Sequence, residues 1–226
     1  MKSLRLSVVN SILKGLVNAL CKIDSKEYVE ALANMGPAIL AINHINFLEV
    51  PILVAQSYPI QVTGLAKEET WHNPLFGFIF DTYKAIPIDR KGAYRDVFLR
   101  VQEAIEKGFF VIFAPEGTRS KSGVLGKGHA GIVQLAYLTN APVLPVVHFG
   151  GERIWDNLKH LRRTPFRFNV GRPFRFRFDG KSPGKSTREA MLDELMGQMA
   201  RLLPENMRGP YAEAASKDAP HLEFLA

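Results

Sequence analysis

The sequence predicts an α/β protein: a single domain with a mixed, largely parallel central sheet flanked by helices, preceded by an N-terminal amphipathic helix. Three observations predict this class. The chain has 226 residues, of which 46% are hydrophobic, enough for one domain with a substantial core. Short apolar runs alternate with segments of helical periodicity, which is the pattern of β-α-β units. Near the N-terminus, apolar residues recur at helical spacing.

The N-terminal segment carries its apolar residues at three- and four-residue intervals, at Leu6, Val9, Leu13, Leu16, Val17 and Leu20. Two interpretations stay open. The helix packs on its own domain, or it lies on anionic lipid with its lysines and arginines at the headgroups. Polar residues interrupt the segment, so we expect it to be retained rather than cleaved as a signal peptide. No window reaches the roughly 18 consecutive apolar residues of a membrane span, and no transmembrane helix is predicted.

Five apolar runs are predicted as strands, at residues 38–42, 61–66, 84–88, 109–114 and 142–147. One helix is predicted between the third and fourth runs, ended by Gly108, and a second between the fourth and fifth. Residues 162–178 alternate arginine with phenylalanine and predict two strands with a break at 171–173. A stacking surface for single-stranded nucleic acid is the less favoured interpretation, because half-buried strands need the same alternation. A last helix covers about 187–203.

The expected organisation has three parts. Residues 1–30 form a membrane-associating helical segment, residues 31–210 form the main domain, and residues 211–226 form a polar, loosely ordered tail. The net charge of +7 favours anionic partners, although charge alone does not choose among lipid, phosphorylated substrate and nucleic acid. The single cysteine, Cys21, excludes an intrachain disulfide and a zinc ribbon.

Ionisable residues follow four of the predicted strands. Asn43 and His44 follow the first, Lys67 and Glu68 the second, Asp89 and Arg90 the third, and the segment 116–120 the fourth. Ligands of open α/β sheets bind beyond the carboxyl ends of the strands. We therefore expect these groups to meet at one edge of the sheet, where they suit an anionic substrate handled by a general base.

Glu49 lies five positions after His44 and has two interpretations. It either orients the histidine or caps a helix that begins near Asn46, as the acid of a capping box. The second interpretation places Pro51 inside the first turns of the helix, where proline is less comfortable.

The segments NHINFLE, KEETWHNPLFGFIF, IPIDRKG, FAPEGTRS and APVLPV resemble the ordered blocks of the glycerolipid acyltransferase family, most closely the lysophosphatidate acyltransferases. The resemblance covers about residues 35–150 and implies a glycerol-3-phosphate acyltransferase-like fold. One position departs from the family pattern, because Glu49 stands where the family has aspartate.

This resemblance implies transfer of a fatty acyl group from acyl-CoA or acyl carrier protein to lysophosphatidate, giving phosphatidate for phospholipid biosynthesis. His44 would be the general base, held by Glu49. The residues expected to bind the acceptor are Lys67, Arg90, Glu116, Gly117, Thr118 and Arg119. Another lysolipid or glycolipid acceptor, or a catalytically weak lipid-binding protein, are the alternatives.

No cofactor or metal ion is expected beyond the acyl donor itself. The expected partners are an anionic phospholipid surface, acyl-CoA or acyl carrier protein, and a lysophospholipid, but not nucleic acid. The protein is expected at the cytoplasmic face of a membrane, as a peripheral or monotopic protein.

Overall fold

The computed structural model describes residues 4–88, 94–120 and 122–225. In these ranges a nine-stranded sheet is flanked by helices on both faces. The strands are β1 (Cys21–Asp24), β2 (Ile39–Ile42), β3 (Val62–Lys67), β4 (Ile86–Ile88), β5 (Phe110–Phe113), β6 (Val143–Phe149), β7 (Thr164–Val170), β8 (Phe174–Phe176) and β9 (Leu222–Phe224). The α-helices are α1 (Leu4–Leu20), α2 (Lys26–Ala33), α3 (Glu49–Ser57), α4 (Pro74–Thr82), α5 (Tyr94–Glu106), α6 (Gly131–Thr139), α7 (Ile154–Lys159) and α8 (Lys185–Leu202).

The main path through the sheet is β1-β7-β6-β2-β5-β3-β4, and β8 and β9 extend it beside β6. Strand β2 is parallel to both neighbours, β5 and β6. The antiparallel contacts are β6 with β7, β6 with β8, and β8 with β9. The predicted mixed, largely parallel sheet is confirmed, and each of the five predicted strands overlaps one of the strands β2 to β6. Strand β3 extends one residue and β6 two residues beyond the predicted ends.

Strand β2 shows why these runs are continuously apolar. All four of its residues are buried, because helices cover both faces of the sheet. Ile39 and Ala41 belong to the core beneath α5, α6 and α8. Leu40 and Ile42 belong to the core beneath α1, α2 and α3. Successive side chains of a strand point to opposite faces, so this one strand contributes to both cores.

The arginine-phenylalanine segment forms strands β7 and β8, as predicted. Phe166, Phe168, Phe174 and Phe176 are buried, whereas Arg167 between them is exposed. The rings therefore fill the core, and the alternation shows that β7 and β8, unlike β2, are covered on one face only.

Pro145 lies in the middle of β6, at the point where the two antiparallel neighbours of that strand separate. Strand β8 pairs with β6 at Val143, and β7 pairs with it from Val146 onward. The carbonyl of Pro145 accepts a hydrogen bond from Gly171 N, so the side of Pro145 that lacks an N–H faces the break between β7 and β8. Proline is tolerated inside a sheet where no ladder bond is needed.

Helix α1 packs on the domain, in agreement with the first of its two interpretations. Val17 is buried, and Leu6, Val9, Leu13 and Leu20 pack against the same core. Leu16 differs from the expected stripe, because 58% of it is exposed. None of the described helices is both long and apolar enough to cross a membrane.

The C-terminal segment differs from the expected loosely ordered tail. Tyr211, Ala215 and Leu222 are buried, and β9 pairs with β8. Arg201 of α8 donates hydrogen bonds to the carbonyls of Ala215 and Lys217. The segment is mostly polar or alanine, and its few large apolar residues are the ones that pack against β8 and α8. Composition alone does not show that these residues are buried.

Replacing Leu222 with alanine tests this packing. Because Leu222 is 3% exposed, we expect Leu222→Ala to lower the free energy of unfolding by about 2–5 kcal/mol, measured by urea denaturation. Leu138→Ala, at a leucine of α6 that is 45% exposed, is the control and should change it by less than about 1 kcal/mol. Equal effects of the two variants would mean that the tail is not packed in solution.

Candidate active site

The predicted site residues lie at the carboxyl ends of neighbouring parallel strands. His44 follows β2, the segment 114–120 follows β5, and Lys67 ends β3. Strand β5 lies between β2 and β3, so these ends meet at one edge of the sheet. Arg90, which follows β4, lies outside the described residues.

Glu49 is the first residue of α3 and is fully buried. Its Oε1 contacts Nδ1 of His44. Its Oε2 accepts hydrogen bonds from the main-chain N–H groups of Asn46, at 2.8 Å, and Ile45, at 3.2 Å. A negative charge at a helix N-terminus is also favourable. The carboxylate is therefore held by one oxygen and directed at His44 by the other.

The two interpretations of Glu49 are both satisfied by this geometry. Asn46 Oδ1 accepts a hydrogen bond from Leu48 N at 2.7 Å, while Glu49 reaches back to Asn46 N. This reciprocal pair has the logic of a capping box. Pro51 is the third residue of α3, in the first turn, where an N–H has no partner within the helix.

His44 is oriented for proton transfer. Because Nδ1 faces the Glu49 carboxylate, Nδ1 carries the proton of a neutral imidazole and Nε2 keeps its lone pair. The side chain is 27% exposed, so a substrate hydroxyl can approach it. A histidine held in this tautomer by a buried acid is suited to act as a general base.

Glu116 fixes the main chain at His44. Its Oε1 accepts a hydrogen bond from His44 N and its Oε2 accepts one from Gly126 N, each at 2.7 Å. The carbonyl of His44 in turn accepts from Ser120 N at 2.6 Å. Burial raises the pKa of the Glu116 carboxyl, and the two N–H groups oppose that rise. Glu116 thus contacts the backbone of the histidine loop.

Lys67, Thr118 and Arg119 are exposed near this edge. In the described part of the chain, no hydrogen bond or ion pair occupies their side chains, so they are available to an anionic ligand. Gly117 has a φ of +63°, a conformation that glycine adopts readily. The described residues contain no group of three or more histidine, cysteine or acidic side chains placed to hold a metal ion.

Two residues of the site were not assigned a role from the sequence. The Asn43 side chain donates to the carbonyl of His148, at 2.9 Å, and accepts from its N–H, at 2.8 Å. His148 is completely buried beside Glu49. The sequence does hold one indication of His148: it directly follows the fifth apolar run, and ligands bind beyond the carboxyl ends of such strands.

The comparisons with known proteins agree with this geometry. The family model described as Acyltransferase matches residues 22–148, which is more than half of the chain. The chain belongs to the acyltransferase family. The resemblance noted in the sequence is confirmed, and its order of blocks corresponds to the strand ends described above.

Named relatives and a solved structure give this member of the family its context. The chain is 32% identical over 137 residues to a chloroplastic 1-acyl-sn-glycerol-3-phosphate acyltransferase of Brassica napus, covering 57% of this chain and 39% of that protein. It is 28% identical over 176 residues to an N-acylphosphatidylethanolamine synthase of Arabidopsis thaliana, covering 69% of this chain and 61% of that protein. The chain thus spans less than two thirds of either relative.

The fold is shared with the crystal structure of a 1-acyl-sn-glycerophosphate acyltransferase of Thermotoga maritima. The TM-score is 0.59 at 20% identity, and the match covers 84% of this chain and 76% of the other. The predicted acyltransferase fold is therefore confirmed.

The pH dependence of stability tests the burial of Glu116. Since the folded-state pKa is raised from 4.5, the protonated acid favours folding, and that contribution is lost as pH rises through the folded pKa. We expect the stability of the wild type relative to Glu116→Gln to fall as pH rises above about 4.5. Urea unfolding at a series of pH values measures it.

The matched control is Glu103→Gln. Glu103 is exposed and its pKa is lowered, first by the hydrogen bond from Lys107, so any trend for this pair should be weak and opposite in sign. If the stability of wild type relative to Glu116→Gln stays flat or rises with pH, the Glu116 carboxylate is not destabilised by its burial.

Proposed function

We propose that this protein transfers a fatty acyl group from acyl-CoA or acyl carrier protein to the free hydroxyl of lysophosphatidate, giving phosphatidate. The observation that carries the proposal is the buried Glu49 carboxylate on Nδ1 of a part-exposed His44. The Brassica napus and Thermotoga maritima proteins, named for acylation of an acylglycerol phosphate, support the choice of acceptor.

The proposed reaction needs no protein nucleophile. Nε2 of His44 takes the proton of the acceptor hydroxyl as its oxygen bonds to the thioester carbonyl carbon. The tetrahedral intermediate then breaks its carbon–sulfur bond, and the thiolate takes the proton back from the imidazolium. Glu49 stabilises the imidazolium between these steps, as a buried acid does for a histidine base.

The proposed phosphate site uses the exposed cations. Arg119 and Lys67 lie at the same edge as His44, and Arg90 is proposed as a further contact. Arginine grips phosphate with two parallel hydrogen bonds. Gly117 and Thr118 would lie against the acceptor. Glu116 is better suited to organising the site, because both its oxygens bind main-chain N–H groups and a carboxylate repels phosphate.

A second candidate is acyl transfer to another lipid acceptor. The observation that favours it is the similarity to the Arabidopsis thaliana protein named as an N-acylphosphatidylethanolamine synthase, which extends over 69% of this chain. The same base would then activate a different lipid nucleophile.

Acyl transfer by the purified protein to lysophosphatidate, and to a panel of other lysolipids, tests the reaction. We expect His44→Ala to lower turnover by about 10²- to 10⁴-fold, since general base catalysis is lost. Glu49→Gln should lower it by more than about 10-fold, because an amide cannot stabilise the imidazolium as a carboxylate does. Glu49→Asp should retain more activity than Glu49→Gln.

The outcomes separate the candidates. Turnover with a different acceptor alone would support the second candidate. No turnover with any acceptor would reject both enzymatic proposals and favour a lipid-binding protein without activity. If Glu49→Gln matches the wild type, Glu49 is a helix cap only.

We further propose that α1 and α4 attach the protein to an anionic phospholipid surface. Four residues of α1 at four-residue spacing are 51–80% exposed: Leu4, Val8, Ile12 and Leu16. The neighbouring helix α4 exposes Leu75, Phe76 and Phe78. Arg5 joins the helices, donating to Thr82 Oγ1 and to the carbonyl of Phe78. Residues 1–30 would thus be the membrane-associating segment of a peripheral or monotopic protein at the cytoplasmic face, beside an acyltransferase domain at 31–210.

Sedimentation with vesicles that contain anionic phospholipid tests the attachment. We expect Ile12→Glu to reduce the bound fraction severalfold, because a charge is placed where the apolar face enters the interface. Leu99→Glu, on α5 at a leucine of similar exposure (55% against 60%), should bind as the wild type does. If both variants bind equally, α1 does not contact the lipid.

A further inference from the structure

His148 lies behind the His44–Glu49 pair, at the end of β6. Its side chain is 0% exposed, and its Nε2 is 2.7 Å from the carbonyl oxygen of Asn43 and 3.3 Å from Oε2 of Glu49. The ring stacks on Phe166, with centroids 5.1 Å apart and an angle of 14° between the planes. The core therefore fixes the plane of the imidazole as well as its position.

The surroundings of His148 determine which of its ring nitrogens carries the hydrogen. Both neighbours of Nε2 are acceptors, so Nε2 carries the hydrogen. It donates this hydrogen to the Asn43 carbonyl, and Oε2 of Glu49 lies close beside it. Nδ1 is buried and has no hydrogen-bond partner among the described residues, which suits a lone pair better than an N–H group. Burial also lowers the pKa of His148. The neutral Nε2–H tautomer is the one that fits.

The contact with Asn43 bears on His44 directly. The Asn43 carbonyl and the His44 N–H belong to one peptide unit, whose oxygen accepts from His148 and whose N–H donates to Glu116. This unit is therefore held from both sides. The Asn43 side chain adds two hydrogen bonds to the main chain of His148, which joins the ends of β2 and β6.

We propose that His148 is a positioning residue for the reacting pair. Its Nε2–H donates to the Asn43 carbonyl and places the positive end of the N–H dipole 3.3 Å from Oε2 of Glu49, while Oε1 of Glu49 is directed at Nδ1 of His44. A neutral His148 supplies this bond without a positive charge that would compete with His44 for the carboxylate. The catalytic consequence rests on the proposed function, whereas the placement of the proton does not.

The charged and titratable groups around His148 come from three elements. Glu49 approaches from α3, His44 from the loop after β2, and Glu152 from the turn after β6. Glu49 and Glu152 favour the charged imidazole, but they act against a larger desolvation of a fully buried ring. We therefore expect His148 to stay neutral while His44 takes part in proton transfer.

Steady-state kinetics on two variants test the positioning. His148→Leu removes the donor and keeps an apolar side chain, and His148→Gln replaces the donor with an amide. We expect kcat to fall about 10- to 100-fold in His148→Leu, the range seen when partners behind a ligating histidine are lost. KM for the acceptor should change by less than about 3-fold, and His148→Gln should recover most of kcat.

The control for lost stability is Thr63→Val. Thr63 is 1% exposed on β3 and donates one hydrogen bond to the Lys84 carbonyl, so this variant also loses a buried bond but touches neither Asn43 nor Glu49. Its kcat should equal that of the wild type. If His148→Leu and His148→Gln lose kcat equally, or if Thr63→Val loses as much, His148 only contributes to stability.

Nitrogen-15 NMR of the histidine rings tests the same inference without turnover. We expect His148 in the wild type to carry one proton, on Nε2, and to keep this neutral form to a lower pH than an unperturbed histidine with a pKa of about 6.5 does. The hydrogen-bonded Nδ1–H signal of His44 should be retained in His148→Gln and lost or shifted in His148→Leu. A doubly protonated His148, or a His44 signal unchanged in His148→Leu, would overturn the inference. Absence of acyl transfer would reject the proposed function alone.

Discussion

The site depends on one buried carboxylate. An ion without access to water is stable in a protein only where hydrogen-bond donors replace its hydration. Glu49 obtains these donors from the His44 ring and from the main-chain N–H groups of Ile45 and Asn46, and the His148 ring lies beside its Oε2. The first three groups lie between β2 and α3 and the His148 ring comes from β6, so the position of the charge requires the assembled sheet.

The loop after β2 also depends on the assembled sheet, because buried polar groups need hydrogen-bond partners. The loop follows a strand buried on both faces, and polar side chains bond the main-chain groups around it. Glu116 accepts hydrogen bonds from His44 N and Gly126 N, and Asn43 accepts one from His148 N of β6. These side chains therefore stabilise the fold as well as the site. Most buried polar groups of proteins are hydrogen-bonded in this way.

Much of the architecture could be predicted from the sequence. The apolar runs at 38–42 and 109–114 identify central strands because parallel strands covered on both faces need continuous apolar residues. Because ligands bind beyond the carboxyl ends of parallel strands, the sequence also predicts that His44 and the segment 116–120 share one edge of the sheet. The spacing of Glu49 leaves two alternatives, capping a helix or orienting His44. The geometry is needed to show that one oxygen accepts main-chain N–H groups and the other contacts His44.

The failures have physical causes. The order of the C-terminal segment is not evident from its composition, because its apolar residues are few and their burial depends on β8, a strand distant in sequence. The role of His148 is not evident either, because a single histidine has no local sequence pattern. Its partners, Asn43 and Glu49, lie about one hundred residues earlier in the chain and approach it through the pairing of β2 with β6.

Pro145 has a consequence for how this fold tolerates change. Strand β6 pairs in parallel with β2 from Val143 to Val146, while its other side is divided at the proline between β7 and β8. Within the sheet, β8 and β9 are attached to β6 at Val143, and His148 lies towards the opposite end of β6, where it pairs with Phe168 of β7. Swapping β8 and β9 for another pair of strands would leave the hydrogen bonds that support His44 in place. On this side of β6, Pro145 thus separates the pairing with the C-terminal strands from the pairing that lies beside His148.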